Sequence, residues 1–454
     1  MTDKARLGLG LVLLFLVVLG VNRFSSCGPD VVASSPTDGG HDAAKDTGAT
    51  YASASASADT RADLPSRCTA TTGEVELPDG ESLEVGGAEL SPTGITLAAS
   101  LSRDGGRRAA VFQVDLGLTK VRAQDLGDLG GGDLAPHLAT CAACDGHIVV
   151  ATYTGAPNAP KSFGNRPGSA RIAVQRTLVV SALEGAGAVP LVRVPQQSDE
   201  SSAFDLLLMT KDSGVVAWDE DSERVVRGVV KVASFAGGKL GEAVVVSPYE
   251  TDADAPKLAR TAKGELYVAW IAREVLSIDG GVGDADLEGA YLEAPGEERA
   301  HQWVEIVALD GSGKPRGAPL AVTSRGRGFA ASFELLVTAD GVDVIVVDGA
   351  VQKDGLGSRI LRVPVRGGKP GASHELVGQG SAASANVFGP FVTFVDVSER
   401  AMVVTLDAPH VVSREPLARG GRFVASTNGS FYSVGVDSGD GGASRAFLRR
   451  HTCP

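Results

Sequence analysis

Apolar positions in this chain come in short runs, and polar, Gly-rich intervals cut them off before any run reaches helical length. The clearest stretch reads Pro256-Lys257-Leu258-Ala259, breaks, and resumes as Gly264-Glu265-Leu266-Tyr267-Val268-Ala269-Trp270. Trp303-Val304-Glu305-Ile306-Val307-Ala308-Leu309 follows, then Asp310-Gly311-Ser312-Gly313-Lys314 and Gly317-Ala318-Pro319-Leu320-Ala321-Val322. Val-rich runs of this length, punctuated by Gly, Asp and Ser, predict strands and turns in place of helices. The stretch therefore predicts four short strands joined by turns.

The plan recurs along the chain. Gly94-Ile95-Thr96-Leu97 precedes Ala109-Ala110-Val111-Phe112, and Pro136-His137-Leu138 precedes Ile148-Val149-Val150-Ala151. Phe204-Asp205-Leu206 precedes Val215-Val216-Ala217-Trp218, and Phe333-Glu334-Leu335 precedes Val344-Ile345-Val346-Val347. A sixth unit holds Phe391–Val395 and Ala401–Leu406. The last unit, from Phe423 to Pro454, is too short for four strands. Gly73–Leu77 and Ser82–Val85, ahead of the first unit, can supply what it lacks. Repetition of a four-stranded unit predicts an all-β propeller, and closing the ring with strands from both termini removes the exposed sheet edges. Counted this way there are seven blades, with six as the alternative. Long insertions at 153–176 and 273–301 interrupt the second and fourth units.

Composition adds location and little chemistry. A formal charge of −13 argues against a nucleic-acid surface, which needs a basic stripe. Lys4 and Arg6 precede the apolar run Leu7–Val21, the size of a signal-peptide core and short for a relaxed membrane span. Residues Phe24-Ser25-Ser26-Cys27-Gly28 resemble a bacterial lipobox, although Arg23 and Phe24 depart from its pattern. That resemblance implies lipidation of Cys27 and, with Gly28 following it, sorting to the outer membrane. An ordinary secretory signal or an uncleaved anchor is the alternative. Residues 28–67 are dominated by Ala, Ser, Asp, Thr and Gly and cannot bury enough apolar area to fold, so they read as a tether. The predicted organisation is a signal or anchor over 1–27, a tether over 28–67 and a propeller over 68–454.

Four cysteines remain once Cys27 is set aside, an even number for an oxidising compartment. Cys68 and Cys453 stand at the two ends of the folded part, and a disulfide between them would fasten the closing blade. Cys141-Ala142-Ala143-Cys144 reads as a local structural disulfide at a turn. With His137 and His147 flanking it, the segment is also a weak metal-site candidate, and its CxxC spacing suits thiol exchange. Asp145-Gly146 separates Cys144 from His147, which excludes c-type haem attachment.

Other fragments are turn chemistry. Ser102-Arg103-Asp104-Gly105-Gly106, Ser277-Ile278-Asp279-Gly280-Gly281 and Ser438-Gly439-Asp440-Gly441-Gly442 resemble the start of the sialidase Asp-box without its aromatic residue. Trp218-Asp219 matches the WD dipeptide once. The glycine pairs at 237–238, 367–368 and 420–421 are similar to those of kelch repeats, whose Tyr and Trp positions are missing. Asp219-Glu220-Asp221 and the loop Asp279–Glu288 offer carboxylates without calcium-loop spacing.

Region 68–454 resembles the exported bacterial β-propeller repeat proteins, on Pro256–Ala259, Tyr267–Trp270 and the Leu309–Gly313 turn. The resemblance implies a fold and an envelope location, either periplasm or outer membrane, and no activity. The reading that follows is a monomeric, non-catalytic binding module, held at the membrane by its N-terminal anchor, for a protein or glycan ligand, with no cofactor. Alternatives are an enzyme acting on glycans, with an acid/base pair drawn from different blades, and a metal-handling protein. Carboxylates, Arg or His converging at the mouth of the ring would favour the enzyme, whereas a mouth of Gly, Ala and Ser would exclude it.

Overall fold

The computed structural model describes residues 71–77, 82–91, 93–103, 106–128, 135–141, 144, 147–155, 174–184, 187–198, 203–221, 228–274, 301–325, 329–352, 355–378, 384–388, 391–395, 401–405, 422–427, 430–438 and 444–452. All regular structure among them is strand, as the run lengths predict. Strand β1 (Thr71–Leu77) is followed by β2 (Ser82–Ser91), β3 (Gly94–Arg103), β4 (Gly106–Asp115) and β5 (Val121–Asp128). Next come β6 (His137–Cys141), β7 (His147–Gly155), β8 (Val174–Glu184) and β9 (Gly187–Ser198). The middle of the chain gives β10 (Phe204–Thr210), β11 (Ser213–Asp221), β12 (Gly228–Ala236), β13 (Lys239–Leu240) and β14 (Val244–Val245). The best sequence repeat forms β15 (Asp252–Arg260), β16 (Leu266–Arg273), β17 (Gln302–Leu309) and β18 (Leu320–Ala321). Then follow β19 (Ala330–Thr338), β20 (Gly341–Gln352), β21 (Gly355–Arg366), β22 (Lys369–Pro370) and β23 (His374–Val377). The chain ends in β24 (Ser384–Phe388), β25 (Phe391–Val395), β26 (Ala401–Thr405), β27 (Arg422–Thr427), β28 (Ser430–Ser438) and β29 (Ser444–Thr452).

These strands make seven antiparallel sheets among the described residues: four of four strands, two of five and one of three. Six are chain-local meanders. The seventh has the order β1-β29-β28-β27, so the first described strand completes the last sheet. Val75 faces Leu448 and Leu77 faces Ala446 across that junction. Ser82–Val85 does not join it, contrary to one option in the sequence, and instead begins the inner strand of the first sheet. The strands β2, β6, β10, β15, β19, β24 and β27 neighbour one another in a closed cycle, which makes each the innermost strand of its sheet.

Packing explains the apolar runs. Each second strand is covered on both faces by the adjoining sheets, so β16 is buried at every residue but its last, and its sequence is continuously apolar instead of alternating. One core layer, including Leu178, Val216, Trp218 and Phe235, fills the gap between the second and third sheets. A second layer, built on Val268, Trp270 and Trp303, fills the gap between the third and fourth.

Turn chemistry matches the sequence. Gly237-Gly238 and Gly367-Gly368 are the two-residue connections β12–β13 and β21–β22, and all four glycines have positive φ, as a type I′ hairpin turn requires. The kelch-like pairs at these two places are therefore hairpin turns, while Gly420-Gly421 lies outside the described residues. In the Asp310 turn, the carboxylate accepts bonds from Ser312 N at 2.8 Å, Ser312 Oγ at 2.7 Å and Lys314 N at 3.0 Å. The Ser312 hydroxyl and these amides hold the Asp310 carboxyl below its ordinary value.

Candidate functional site

The inner strands carry a charged position at one common register. Cross-strand pairing sets His137 opposite Ala151, Asp205 opposite Ala217, Lys257 opposite Ala269 and Glu334 opposite Ile345. The facing residues occupy the same place in Val149-Val150-Ala151, Val215-Val216-Ala217, Tyr267-Val268-Ala269 and Asp343-Val344-Ile345. Four consecutive sheets thus present His, Asp, Lys and Glu at one level of the ring. The same alignment places Gly87 (opposite Ala98) in the first sheet, Asn386 (opposite Thr393) in the sixth and Arg422 (opposite Val434) in the last.

The collar is joined across sheet boundaries. His137 Nε2 lies 3.5 Å from Asp205 Oδ1, with the two side chains 28% and 13% exposed. Asp205 is fastened from elsewhere: Oδ1 accepts from Leu206 N at 2.9 Å and Oδ2 from Leu258 N at 2.6 Å. One carboxylate therefore touches the inner strands of the second, third and fourth sheets. The His137 ring meets Phe204 edge-on at 5.8 Å, and Phe204 meets Tyr153 at 5.2 Å and 86°. Farther round, Lys257 Nζ donates to Glu334 Oε1 at 3.0 Å. A half-exposed imidazole held by an anchored carboxylate can accept and return a proton, which is the arrangement of an acid–base group and its orienting partner.

A second charged group sits where β15 begins. Asp252 Oδ1 accepts from Gly228 N at 2.7 Å, and Arg273 donates to both Asp252 and Asp254. Burial pushes the Asp254 carboxyl up, partly offset by Arg273. Between Asp254 and Lys257 the register shifts, and Ala255 has a φ of 51°. This bulge separates the Asp252–Asp254–Arg273 group from Lys257, which stays at the collar level.

The cysteine-centred candidates fall elsewhere. His137 begins β6 and Cys141 ends it, about 13 Å apart by strand rise. His147 pairs with Cys141 in register, and its N–H donates to Cys144 O at 3.1 Å. The β6–β7 hairpin end thus gathers Cys141, Cys144 and His147 but not His137. Cys144 is half-buried against the core layer of the second and third sheets. Among the described residues no group of three His, Cys, Asp or Glu side chains is placed to hold a metal ion. Of the acidic cluster, Glu220 is tied to Lys231 at 3.0 Å and accepts from Trp218 Nε1 at 2.8 Å. Cys27, Cys68, Cys453 and the loop Asp279–Glu288 lie outside the described residues.

Sequence reasoning missed Asp205, Lys257 and Glu334 as site residues. The signal was the second residue of each inner-strand phrase: Pro136-His137-Leu138, Phe204-Asp205-Leu206, Pro256-Lys257-Leu258 and Phe333-Glu334-Leu335.

No family model matches the chain, and no curated protein matches it in sequence. Among solved structures it is similar to the polysaccharide lyase Uly1, at 11% identity and a TM-score of 0.49 over 83% of this chain and 90% of that one. It is also similar to the GH93 α-L-arabinofuranosidase of Fusarium graminearum, at 12% identity and a TM-score of 0.46 over 85% and 98% of the two chains. A third is a subtype N10 neuraminidase-like protein of A/little yellow-shouldered bat/Guatemala/060/2010, at 9% identity and a TM-score of 0.38 over 85% and 100%. The expectation of a non-catalytic binding module is corrected. The ring presents His137, Asp205, Lys257 and Glu334 where an inert mouth would carry only small residues.

Proposed function

We propose that this chain is a propeller enzyme that cleaves glycosidic bonds by acid–base chemistry at the collar. His137 is the reacting group and Asp205 its positioning residue. The observation that carries the reading is the His137–Asp205 pair, drawn from adjacent sheets at one register position and anchored to a third sheet through Leu258 N. Phe204, itself braced edge-on by Tyr153, limits the ring's rotation from one side. The test is release of reducing ends from a panel of neutral and acidic polysaccharides by the full chain, compared with His137→Ala and Asp205→Asn. Activity in the parent and its loss in both variants is the expected result. Tight glycan binding without cleavage by the parent would refute it.

We further propose that the enzyme works outside the cytoplasm, carried by the Leu7–Val21 segment and held by lipid on Cys27 through the 28–67 tether. Two disulfides accompany this: Cys68–Cys453 across the ring closure, and Cys141–Cys144 at the β6–β7 hairpin. The bonded state of the Cys144 sulfur supports the second. Mass spectrometry of the protein from its membrane fraction tests all three, and free Cys68 and Cys453 would refute the first pairing.

A further inference from the structure

The position just before the collar residue is buried in three of the four sheets that carry a charged collar. Pro136 and Pro256 are buried there, and Phe333 is 5% exposed, within the core layer of the fourth and fifth sheets. In the third sheet the same position holds Phe204, which is only half-buried. The cause lies across the strand. Phe333 pairs with Val346, which leaves room for a phenyl ring in its layer, whereas Phe204 pairs with Trp218. Trp218 is 2% exposed and, together with Tyr153 at 2%, fills the layer between the second and third sheets. A close-packed core has no space for a further ring, so Phe204 is lifted partly out of it.

Where Phe204 emerges, it meets the reacting group. Its ring lies edge-on to His137, 5.8 Å away at 63°, and edge-on to Tyr153, 5.2 Å away at 86°. The next residue in the chain is Asp205, whose Oδ1 lies 3.5 Å from His137 Nε2. Consecutive residues of β10 thus flank the imidazole with an anchored carboxylate and a partly exposed apolar ring.

Resting on the reading of the His137–Asp205 pair as a glycoside-cleaving site, we propose that Phe204 is the platform for the sugar at that site. A pyranose lays the C–H bonds of one face on the phenyl ring, with its glycosidic bond toward His137. Such a sugar is polar around its rim and apolar on its faces, and water competes for every hydrogen bond the rim makes. Contact with the phenyl ring takes apolar area of both partners out of water, and the negative face of the ring attracts the weakly positive C–H hydrogens. The contact is made by substrate and transition state alike, so it strengthens binding and leaves the chemical step to His137.

The experiment compares the full chain with Phe204→Leu and Phe204→Tyr on oligosaccharides prepared from the polysaccharide panel. Kinetics are read on cleavable lengths, and affinity by calorimetry on lengths too short to be cleaved. Leu keeps an apolar side chain at the edge of the core, and Tyr keeps the ring. Phe204→Leu is expected to raise KM and weaken binding by about tenfold or more while kcat falls a few-fold at most, as loss of uniform binding requires. Phe204→Tyr is expected to stay within a few-fold of the wild-type chain on both measures. A fall in kcat with KM and affinity unchanged would make Phe204 a brace of His137 alone and overturn the platform. Unchanged kinetics, or a Tyr variant as impaired as the Leu one, would overturn it too. A wild-type chain that binds without cleaving, and loses affinity on Phe204→Leu, would overturn the cleaving reading and not the platform, whereas one that neither binds nor cleaves overturns both. NMR of phenylalanine-labelled wild-type protein needs no folded Leu variant. The ring resonance missing from Phe204→Tyr should move when the short oligosaccharides are added, and a resonance that stays in place would overturn the assignment.

Discussion

Glu89→Gln should make the fold more stable, and by an amount that depends on pH. The carboxyl is half-buried beside β6, and its value rises from 4.5 to about 7 on folding. At about 1.4 kcal/mol per unit, that difference amounts to about 3 kcal/mol between the two ends of the titration. Below about pH 4 the group is protonated in both folded and unfolded chains, and Glu and Gln should be equivalent. As pH rises past 4.5 the unfolded chain releases its proton first, so wild-type stability falls until the folded carboxyl also ionises near pH 7. Above that the loss is complete and constant. The amide keeps the shape and never ionises. Urea unfolding of both proteins from about pH 4 to 8.5 should therefore give midpoints that coincide at the acid end and diverge in favour of Glu89→Gln toward the alkaline end. A difference that does not change with pH would show that Glu89 is not a desolvated acid in the folded chain.

Four further substitutions probe the same architecture. Gly86→Ala forces a Cβ against the Pro136 carbonyl and should cost roughly 2–4 kcal/mol in denaturant unfolding, because the obstacle is backbone and cannot swing away. Asp343→Ala strands Arg362 and Arg366 beside a fully buried position and should cost about 3–5 kcal/mol in the same assay. Trp303→Phe removes the Nε1 donor that holds Glu305 Oε1 at 2.9 Å and should cost about 1–3 kcal/mol, seen as a lowered unfolding midpoint. Glu84→Ala, which breaks the exposed pair with Arg107, should change stability by less than about 1 kcal/mol.

The fold was legible because the core demands it locally. A strand covered by sheets on both faces must be apolar throughout, and Val215–Trp218 and Tyr267–Trp270 announce this without any alignment. The Gly-Gly turns and the Asp310 turn were equally plain, since positive φ and carboxylate-to-amide bonds select their residues. The split last sheet was legible as a deficit, with too few strands after Phe423 and a spare one at Gly73–Leu77. The site was not. In the sequence Cys141, Cys144 and their flanking histidines stand out, because ligand types close along the chain look like a cluster. A five-residue strand pointing away from the hairpin takes His137 out of it. Its partner Asp205 is 68 residues away in the chain and adjacent only because β6 and β10 are neighbours in the ring.

The collar position has a property that follows from the repeat itself. Its cross-strand partner is small or aliphatic in four consecutive sheets (Ala151, Ala217, Ala269 and Ile345), and the residue after it on the inner strand is Leu in each: Leu138, Leu206, Leu258 and Leu335. Those neighbours answer to the core between sheets and have little freedom. The collar residue itself bonds across the sheet boundary and stays partly exposed, so the core does not choose its type, and in succession it is His, Asp, Lys and Glu. Charges placed there independently would repel or be solvated singly. Here they are coupled across sheet boundaries, His137 to Asp205 and Lys257 to Glu334, with the Asp205 carboxylate bound to the backbone of a third strand. Fastening Asp205 to Leu258 N contributes less to stability than an apolar residue in the core would. What it fixes is the position of the carboxylate against which His137 lies.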